Sequence, residues 1–297
     1  MEKIMDLHIH TNISDGVLSP YEVIDRALEN NCRIISITDH DNIDAYCDEL
    51  FDYAESKNMI LIPGVEISAK VDKCGIHVLG YNFDISDEHF KEELKKLRGA
   101  RHEYLSDVSF KLGELGYTVH VSELDKIDSV TKAHIALDII SNEKNKETLL
   151  KDFGHIPGKG EFIETIMNEG CPGYVWKRSI SPMEAADLIR SAGGKVVFAH
   201  PVCYKYEDNL VPGDILSLVH KMHAEVIEAA YLYVDKDGNK IDEVAFWKEF
   251  AKDNDLICSV GSDFHNDDGV HPDIGFSNWD IEFSKEEAYK LLDYLSN

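Results

Sequence analysis

Short apolar runs typical of β-strands recur along this chain, and several of them end in a histidine, aspartate or glutamate. The runs occupy Ile4–His10, Arg33–Thr38, Met59–Ser68, Gly75–Tyr81, Lys195–Ala199, Val226–Tyr231 and Leu256–Val260. Helix-like segments separate most of them, which favours an α/β fold. Because a β/α barrel carries its active site at the carboxyl ends of its strands, the pattern predicts a barrel with polar side chains gathered at one end.

The first run carries two histidines in alternating register. His8 and His10 are two residues apart, so both imidazoles project from the same face of a strand while Leu7 and Ile9 pack behind them. Asp15 follows shortly after. This geometry suits one metal ion, although for this run alone two incidental histidines on a strand are the competing interpretation.

Nine residues near these runs can bind metal. They are His8, His10, Asp15, His40, Glu66, His77, His200, Asp263 and His265. Nine ligands are too many for one four-coordinate site, so their convergence would supply two or three ions, with a carboxylate such as Glu66 bridging two of them. Mixed nitrogen and oxygen ligands suit Zn²⁺, Mn²⁺ or Fe better than Ca²⁺ or Mg²⁺.

The strand pattern stops between residues 84 and 176, where only helix-like segments occur. We predict a discontinuous barrel domain, residues 1–83 and 177–297, and an inserted helical lobe, residues 84–176, that selects the substrate. Helices are expected at Tyr21–Asn30, Ile43–Lys57, Ser86–Leu115, Thr131–Ile140, Gly160–Asn168, Ser181–Ala192, Ile241–Asn254 and Ser284–Leu295. Ser19 and Ser284 have the sequence context of helix N-caps.

Charge and cysteine content limit the partners. The chain has 30 Lys and Arg against 56 Asp and Glu, a formal charge of −26, which repels long DNA or RNA. Divalent cations can reverse the field inside a cleft, so a small phosphorylated ligand remains compatible. Six scattered cysteines without a C-x-x-C pair, and the lack of a signal peptide or a long apolar run, predict a cytoplasmic protein with reduced thiols and no membrane partner.

Six motifs, in order, resemble those of the polymerase and histidinol phosphatase (PHP) family of metal-dependent phosphoesterases. They are His8-x-His10 with Asp15, Thr38-Asp39-His40, Pro63-Gly64-Val65-Glu66, His77–Tyr81, Ala199-His200-Pro201 and Gly261–His265. The resemblance implies a distorted (β/α)7 barrel that holds a trinuclear site of zinc, manganese or iron. It also implies that a metal-bridging hydroxide, and no further catalytic side chain, attacks phosphorus.

The resemblance also distributes the ligands among three ions. The first ion would take His8, His10, Glu66 and Asp263, the second Glu66, His77 and His200, and the third Asp15, His40 and His265.

The inserted lobe is similar to that of a PHP subgroup that acts on nucleotides. That subgroup has Gly-Arg-Pro-His-Ile-Ala where this chain has Thr131–Ala136, so the histidine matches and the arginine does not. The resemblance implies substrate binding by Lys132, His134, Lys177 and Arg178, for which a solvated surface position is the alternative. Arg98 and Arg101 share one helix face, where solvent exposure is the favoured interpretation.

The leading hypothesis is a phosphoesterase that acts on a small phosphorylated metabolite such as a nucleoside 3',5'-bisphosphate. The alternatives are a histidinol-phosphate phosphatase, which the long helical insertion disfavours, and a 5'-exonuclease on short oligonucleotides. A non-catalytic metal-binding module is a further alternative, but such a module would normally have lost ligands.

Overall fold

The computed structural model of this protein describes residues 5–72, 74–124, 130–175, 179–235 and 238–297. The chain forms two compact units, one of Met1–Leu94 with Ile180–Asn297 and the other of Lys95–Ser179. Among the described residues, no helix combines the length and apolarity needed to span a bilayer. The assignment of a substrate-selecting role to the inserted segment stays a prediction.

The described residues of the first unit form nine strands. They are β1 (Met5–Ile9), β2 (Ile34–Ile37), β3 (Ile60–Val71), β4 (Cys74–Tyr81), β5 (Lys195–Phe198), β6 (Val226–Ala230), β7 (Leu232–Val234), β8 (Lys240–Asp242) and β9 (Ile257–Val260). Seven form one sheet in the order β1-β2-β3-β4-β5-β6-β9, and these match the seven predicted runs. The remaining two, β7 and β8, pair as a separate antiparallel hairpin that the sequence pattern did not indicate.

The seven-stranded sheet curves until its edges meet, so it forms a distorted barrel. Backbone bonds join the two edge strands: His10 N donates to Phe264 O at 2.9 Å, and Asp263 N donates to His8 O at 2.8 Å. The strands run parallel except β4, which is antiparallel to both β3 and β5. This reversal distinguishes the barrel from one built only of parallel strands, and the predicted α/β class with a distorted seven-stranded barrel is confirmed.

Helices cover the barrel and make up most of the second unit. They are α1 (Pro20–Glu29), α2 (Asp48–Ser56), α3 (Glu88–Glu114), α4 (Val121–Leu124), α5 (Lys132–Ser141), α6 (Lys146–Phe153), α7 (Lys159–Phe162), α8 (Pro182–Ser191), α9 (Pro201–Glu207), α10 (Pro212–Lys221), α11 (Val244–Asp253) and α12 (Lys285–Ser296). A π-helical turn at Ile163–Met167 and 3-10 turns at Glu143–Asn145 and Ile274–Phe276 complete the set. The predicted caps are present: Ser19 and Ser284 each form a capping box with the glutamate three residues later.

The predicted start of α2 was wrong by five residues. The chain from Ile43 to Cys47 stays irregular because its polar groups find partners outside a helix: the Asn42 side chain accepts the amide of Asp44 at 3.0 Å. The Tyr46 hydroxyl donates to Ile37 O at 2.6 Å and accepts the amide of Gly64 at 2.8 Å. Tyr46 therefore connects the end of β2 to the first half of β3.

Asp273 anchors the segment between β9 and α12 onto α1. Its carboxylate, 5% exposed, accepts Arg26 Nε at 3.2 Å and Asn30 Nδ2 at 2.9 Å, and a second Arg26 bond comes from Nη2 at 3.0 Å. Burial opposes ionisation, but the hydrogen bonds from Arg26 prevail and hold the pKa of Asp273 below its ordinary value. A carboxyl whose folded pKa is lowered contributes stability above its unfolded pKa of about 3.9, and that contribution is lost as the pH falls.

We expect Asp273→Asn to lower the free energy of unfolding at pH 7 by about 1–3 kcal/mol, because it removes a buried charged acceptor from the half-buried donors of Arg26 and Asn30. The loss of stability between pH 5 and pH 2 should then be shallower than in the wild type. Urea denaturation at several pH values measures both effects. Asp267→Asn is the matched control, because Asp267 also bonds Arg26 at 3.0 Å but is 63% exposed. Equal effects of the two variants would contradict the role of the buried carboxylate.

Candidate metal centre

The barrel gathers all nine predicted ligands at one end. His8 lies in β1 and His10 just after it, His40 follows β2, His200 follows β5, and Asp263 and His265 follow β9. Glu66 and His77 lie within β3 and β4, inside the predicted runs but not at their carboxyl ends. Both β3 and β4 extend beyond the rim, and since β4 runs in the opposite direction, its first half faces the same end as the carboxyl ends of the other strands.

A first cluster joins β1, β3 and the segment after β9. His8 Nε2 is 3.3 Å from both Glu66 Oε2 and Asp263 Oδ1, and His10 Nε2 is 3.2 Å and 3.1 Å from the same two atoms. Four ligands at about 2.0–2.1 Å from an ion in a tetrahedron would lie about 3.3–3.4 Å apart. The four atoms therefore have the spacing of ligands around one ion.

A second cluster forms on the other carboxylate oxygen of Glu66. Glu66 Oε1 is 2.8 Å from His77 Nδ1 and 3.0 Å from His200 Nε2, and these two nitrogens are 3.3 Å apart. His40 Nδ1 approaches from the other side, 3.1 Å from Glu66 Oε2. One carboxylate thus presents its two oxygens to two groups of histidines, which is the arrangement of a carboxylate that bridges two ions.

A third cluster surrounds Asp15. Asp15 Oδ1 lies 3.3 Å from His265 Nε2 and 3.4 Å from His10 Nδ1, and Asp15 Oδ2 lies 3.5 Å from His40 Nε2. His10 and His40 therefore present one ring nitrogen to this cluster and the other to Glu66. The ring of His10 stacks on that of His265 with centroids 4.1 Å apart, which holds both imidazoles in place.

Several of these atoms are buried without making hydrogen bonds. Among the described residues, His8 Nε2, both ring nitrogens of His10, His40 Nδ1 and Glu66 Oε2 have no hydrogen-bond partner. The side chains of His8, His10 and Glu66 are at most 1% exposed. Buried polar atoms normally have partners, and an ion bound among them would provide one. The residues present therefore fit a metal centre.

The pKa shifts of residues in the clusters also favour a bound cation. Burial opposes the charge on Glu66, but the neighbouring His77 and His40 outweigh it and hold the pKa of Glu66 well below its ordinary value. Burial also disfavours protonated His10, yet the attraction of Asp263 and Glu66 raises the pKa of His10 to about 10. Burial dominates at His40, where it lowers the pKa to about 3. The site strongly attracts positive charge, and a bound cation would displace protons from it.

Residues missed by sequence reasoning hold the ligands in place. Glu228 of β6, fully buried, contacts His8 Nδ1 at 3.0 Å. The Tyr231 hydroxyl donates to Asp263 Oδ2 at 3.0 Å. The one sequence signal for Glu228 was that it is a glutamate within the apolar run Val226–Ala230.

Two predicted ligands have uncommon backbone angles, φ 21° at His200 and φ 55° at Asp263. Residues in such conformations concentrate at functional sites.

The clusters open into a cleft of about 650 Å³ in the first unit. Acidic and aromatic residues share its wall with the proposed ligands, among them Tyr204, Glu207, Asp208, Tyr231, Tyr233 and Asp268. Within the described part of the chain, none of the residues that line the cleft is a lysine or an arginine. A phosphate dianion entering this cleft would therefore need metal ions to balance its charge.

Two of the four predicted substrate-binding residues have described positions. Lys132 and His134 are half-buried in α5 of the second unit. Lys132 Nζ donates to Asn168 Oδ1 at 3.1 Å, and His134 forms a capping box with Thr131 at the start of α5. Lys177, Arg178 and the side chain of Arg101 lie outside the described residues.

A distorted barrel with three histidine and carboxylate clusters at one end is suited to a metal-dependent hydrolase. The PHP domain model matches residues 6–168, more than half of the chain. The chain therefore belongs to the PHP family, as the sequence motifs predicted.

Three similar proteins extend this comparison. A 5'-3' exoribonuclease from Haemophilus influenzae is 30% identical over 267 residues, covering 89% of this chain and 91% of the relative. A 3',5'-nucleoside bisphosphate phosphatase from Chromobacterium violaceum is 26% identical over 275 residues, covering 91% of this chain and 90% of the relative. The solved structure of an amidohydrolase from Chromobacterium violaceum with bound sulfate and no metal is 25% identical, with a TM-score of 0.66 over 98% of this chain and 96% of that chain.

Proposed function

We propose that this protein hydrolyses the phosphate ester of a small nucleotide, with a nucleoside 3',5'-bisphosphate as the preferred type of substrate. The observation that carries the proposal is the convergence of nine ligand residues, six of which line a cleft without lysine or arginine among its described lining residues. The similarity to the Chromobacterium violaceum bisphosphate phosphatase supports the substrate class.

The proposed cofactors are two or three divalent transition-metal ions, Mn, Zn or Fe. His8, His10, Glu66 and Asp263 would hold the first, Glu66, His77 and His200 the second, and Asp15, His40 and His265 the third. When bound, such ions lower the pKa of coordinated water to about 7 and neutralise charge on the phosphate oxygens. The chain itself holds the ligand side chains in fixed positions. Its cleft is lined by acidic residues, without lysine or arginine among the described lining residues.

The assignment of Glu66 as the shared ligand has a clear physical basis. Its pKa is held well below the ordinary value, so its side chain stays ionised at neutral pH and both oxygens remain acceptors. Tyr231 would orient Asp263 by donating to Oδ2, which leaves Oδ1 facing His8 and His10. Both residues keep carboxylate lone pairs directed at the positions where ions would lie.

The second phosphate of a bisphosphate needs cations that the described cleft lining lacks. We propose that Lys132, His134, Lys177 and Arg178 provide them. Support comes from the sequence of the segments that contain these residues, Thr131–Ala136 and Tyr174–Arg178. The proposed setting is cytoplasmic, which agrees with six free cysteines, and neither a long nucleic acid nor a membrane is a proposed partner.

We expect Lys132→Gln to lower kcat/KM for a nucleoside 3',5'-bisphosphate by about 10- to 150-fold, because one charge-assisted hydrogen bond is worth about 1.5–3 kcal/mol. Turnover of an aryl phosphate, whose only phosphate would bind the metals, should change little. Steady-state kinetics on both substrates measures the difference. Lys151→Gln, at an exposed lysine of the same unit, is the control. Equal losses on both substrates would contradict a contact with the second phosphate.

A second candidate function is removal of nucleotides from the 5' end of short RNA. The similarity to the Haemophilus influenzae exoribonuclease favours it. The net charge of −26 opposes binding of long RNA, since proteins hold long nucleic acids through many cationic contacts to phosphates.

Assays on a set of different substrates distinguish the two candidate functions. The metal-loaded protein is assayed on a nucleoside 3',5'-bisphosphate, a 5'-phosphorylated trinucleotide, a long single-stranded RNA and histidinol phosphate. The proposal expects the highest kcat/KM on the bisphosphate. A preference for the trinucleotide would establish the exonuclease instead, and no release of phosphate or nucleotide from any of the four would refute a phosphoesterase.

A further inference from the structure

Strand β6 supplies none of the proposed metal ligands, yet its one charged side chain lies among them. Glu228, in the middle of β6, is fully buried. Its Oε1 and Oε2 atoms lie 3.0 Å and 3.2 Å from His8 Nδ1, and Oε2 also accepts the backbone N–H of His200 at 2.8 Å. One carboxyl group therefore contacts two proposed ligands from separate strands, His8 on β1 and His200 just after β5.

These contacts determine which nitrogen of His8 faces the metal position. A carboxylate offers only acceptors, so the nitrogen at 3.0 Å from Glu228 carries the hydrogen. The other ring nitrogen, Nε2, then presents its lone pair to the first cluster, where Glu66 and Asp263 lie at 3.3 Å. Histidine ligands commonly donate their second ring N–H to a carboxylate in this way, and this bond fixes both tautomer and orientation.

The contact with His200 constrains the second cluster. His200 has φ 21°, an unfavourable angle for a residue with a side chain, and its amide is held by Glu228 Oε2. The same turn aims His200 Nε2 at Glu66 Oε1. Glu228 thus stabilises the local backbone that brings His200 to the site.

The surrounding chain leaves room for this carboxyl group and little more. A Cβ atom at Gly261, just after β9, would lie 2.2 Å from Glu228 Oε1 and 2.2 Å from the Cβ of His8. Only glycine fits at this position while His8 and Glu228 stay in contact. The glycine of the Gly261–His265 motif therefore has a physical explanation in the packing of Glu228.

We propose that Glu228 is a positioning residue that fixes the His8 tautomer and the His200 backbone, and so couples the first and second metal sites. The inference rests on the metal centre of the proposed function. Glutamine in its place has nearly the same volume, but an N–H₂ donor replaces one of the two oxygens and would face either the N–H of His8 or the amide N–H of His200.

The test uses the full chain loaded with zinc and compares Glu228→Gln with Glu225→Gln. Glu225 lies immediately before β6 and is exposed, so its variant removes the same charge three residues away on the surface. Zinc affinity is measured by competition with a chelating dye, and the histidine ring nitrogens are observed by ¹⁵N NMR. Thermal unfolding of the metal-free proteins reports on stability separately.

For Glu228→Gln we expect zinc affinity to fall about 10- to 100-fold, together with a shift of the His8 ring resonances, and no change for Glu225→Gln. Wild-type affinity and an unchanged His8 signal would overturn the inference, as would equal losses in the two variants. If Glu228→Gln does not fold, Glu228→Asp replaces it, since it keeps the charge but is one methylene shorter; wild-type zinc affinity in that variant would also overturn the inference. A wild-type chain that binds no zinc or manganese would instead refute the metal centre itself.

Discussion

Glu66→Gln should lower kcat/KM by about a thousandfold or more and reduce bound metal from two or three ions to about one, the largest loss expected for a single substitution here. Glu66 contacts both of the first two clusters, with Oε2 at 3.2–3.3 Å from His8 and His10 and Oε1 at 2.8–3.0 Å from His77 and His200. Glutamine keeps the volume but directs an N–H₂ group at one cluster, where an ion could no longer bind.

Elemental analysis after metal-supplemented expression and steady-state kinetics measure the two effects of Glu66→Gln. Glu286→Gln, at an exposed position of α12, is the control for loss of a negative charge. Circular dichroism and the unfolding temperature show whether the fold is kept. Wild-type metal content in Glu66→Gln would refute a bridging role, whereas a reduced content with full activity would show that one ion suffices for hydrolysis.

The positions of the predicted ligands followed from the sequence because their signals are local. His8 and His10 are set on one face by the alternation of a strand, and Asp263 and His265 follow an apolar run that the chain must bury. The same locality accounts for the capping boxes at Ser19 and Ser284. Each of these features depends on residues within one strand or one helical turn.

The direction of β4 depends on the connections between strands rather than on the residues within one strand. The chain between Val71 and Cys74 is too short for the crossover that parallel strands need, so β3 and β4 pair as a hairpin. The sequence contains this short connection. The rule that barrel sites lie at the carboxyl ends of strands assumes parallel strands, however, so it does not predict the reversal of β4. The antiparallel pairing of β4 with β5 has no such local signal, since the whole second unit intervenes.

Glu228 shows the limit of pattern reasoning. Its environment consists of His8 and His200, which lie 220 and 28 positions away in the chain, so no spacing rule connects them. A glutamate within the buried strand Val226–Ala230 is a sign that a partner must exist, because burying a charge alone is costly. The sequence can therefore indicate that such a residue matters, while only the fold identifies what it contacts.

Removal of bound metal by exhaustive chelation should abolish hydrolysis and lower the unfolding temperature while the secondary structure is kept. Segments from β1, β3, β4 and the loops after β2, β5 and β9 all contribute ligands, so each ion would connect distant parts of the rim. An ion present at about 100 times its Kd stabilises the folded state by about 2.7 kcal/mol, which corresponds to about 5–10 °C for a unit of this size.

Re-addition of Mn²⁺ or Zn²⁺ should restore both activity and unfolding temperature, and the midpoint of the restoration should report the weakest site. Magnesium or calcium at the same concentration serves as the control, since a set rich in imidazole nitrogens binds these ions poorly. Hydrolysis that persists after elemental analysis has verified complete metal removal would refute a metal-dependent reaction. An unchanged unfolding temperature with lost activity would mean that the rim is already held by the attraction of Glu66 and Asp263 for His8 and His10.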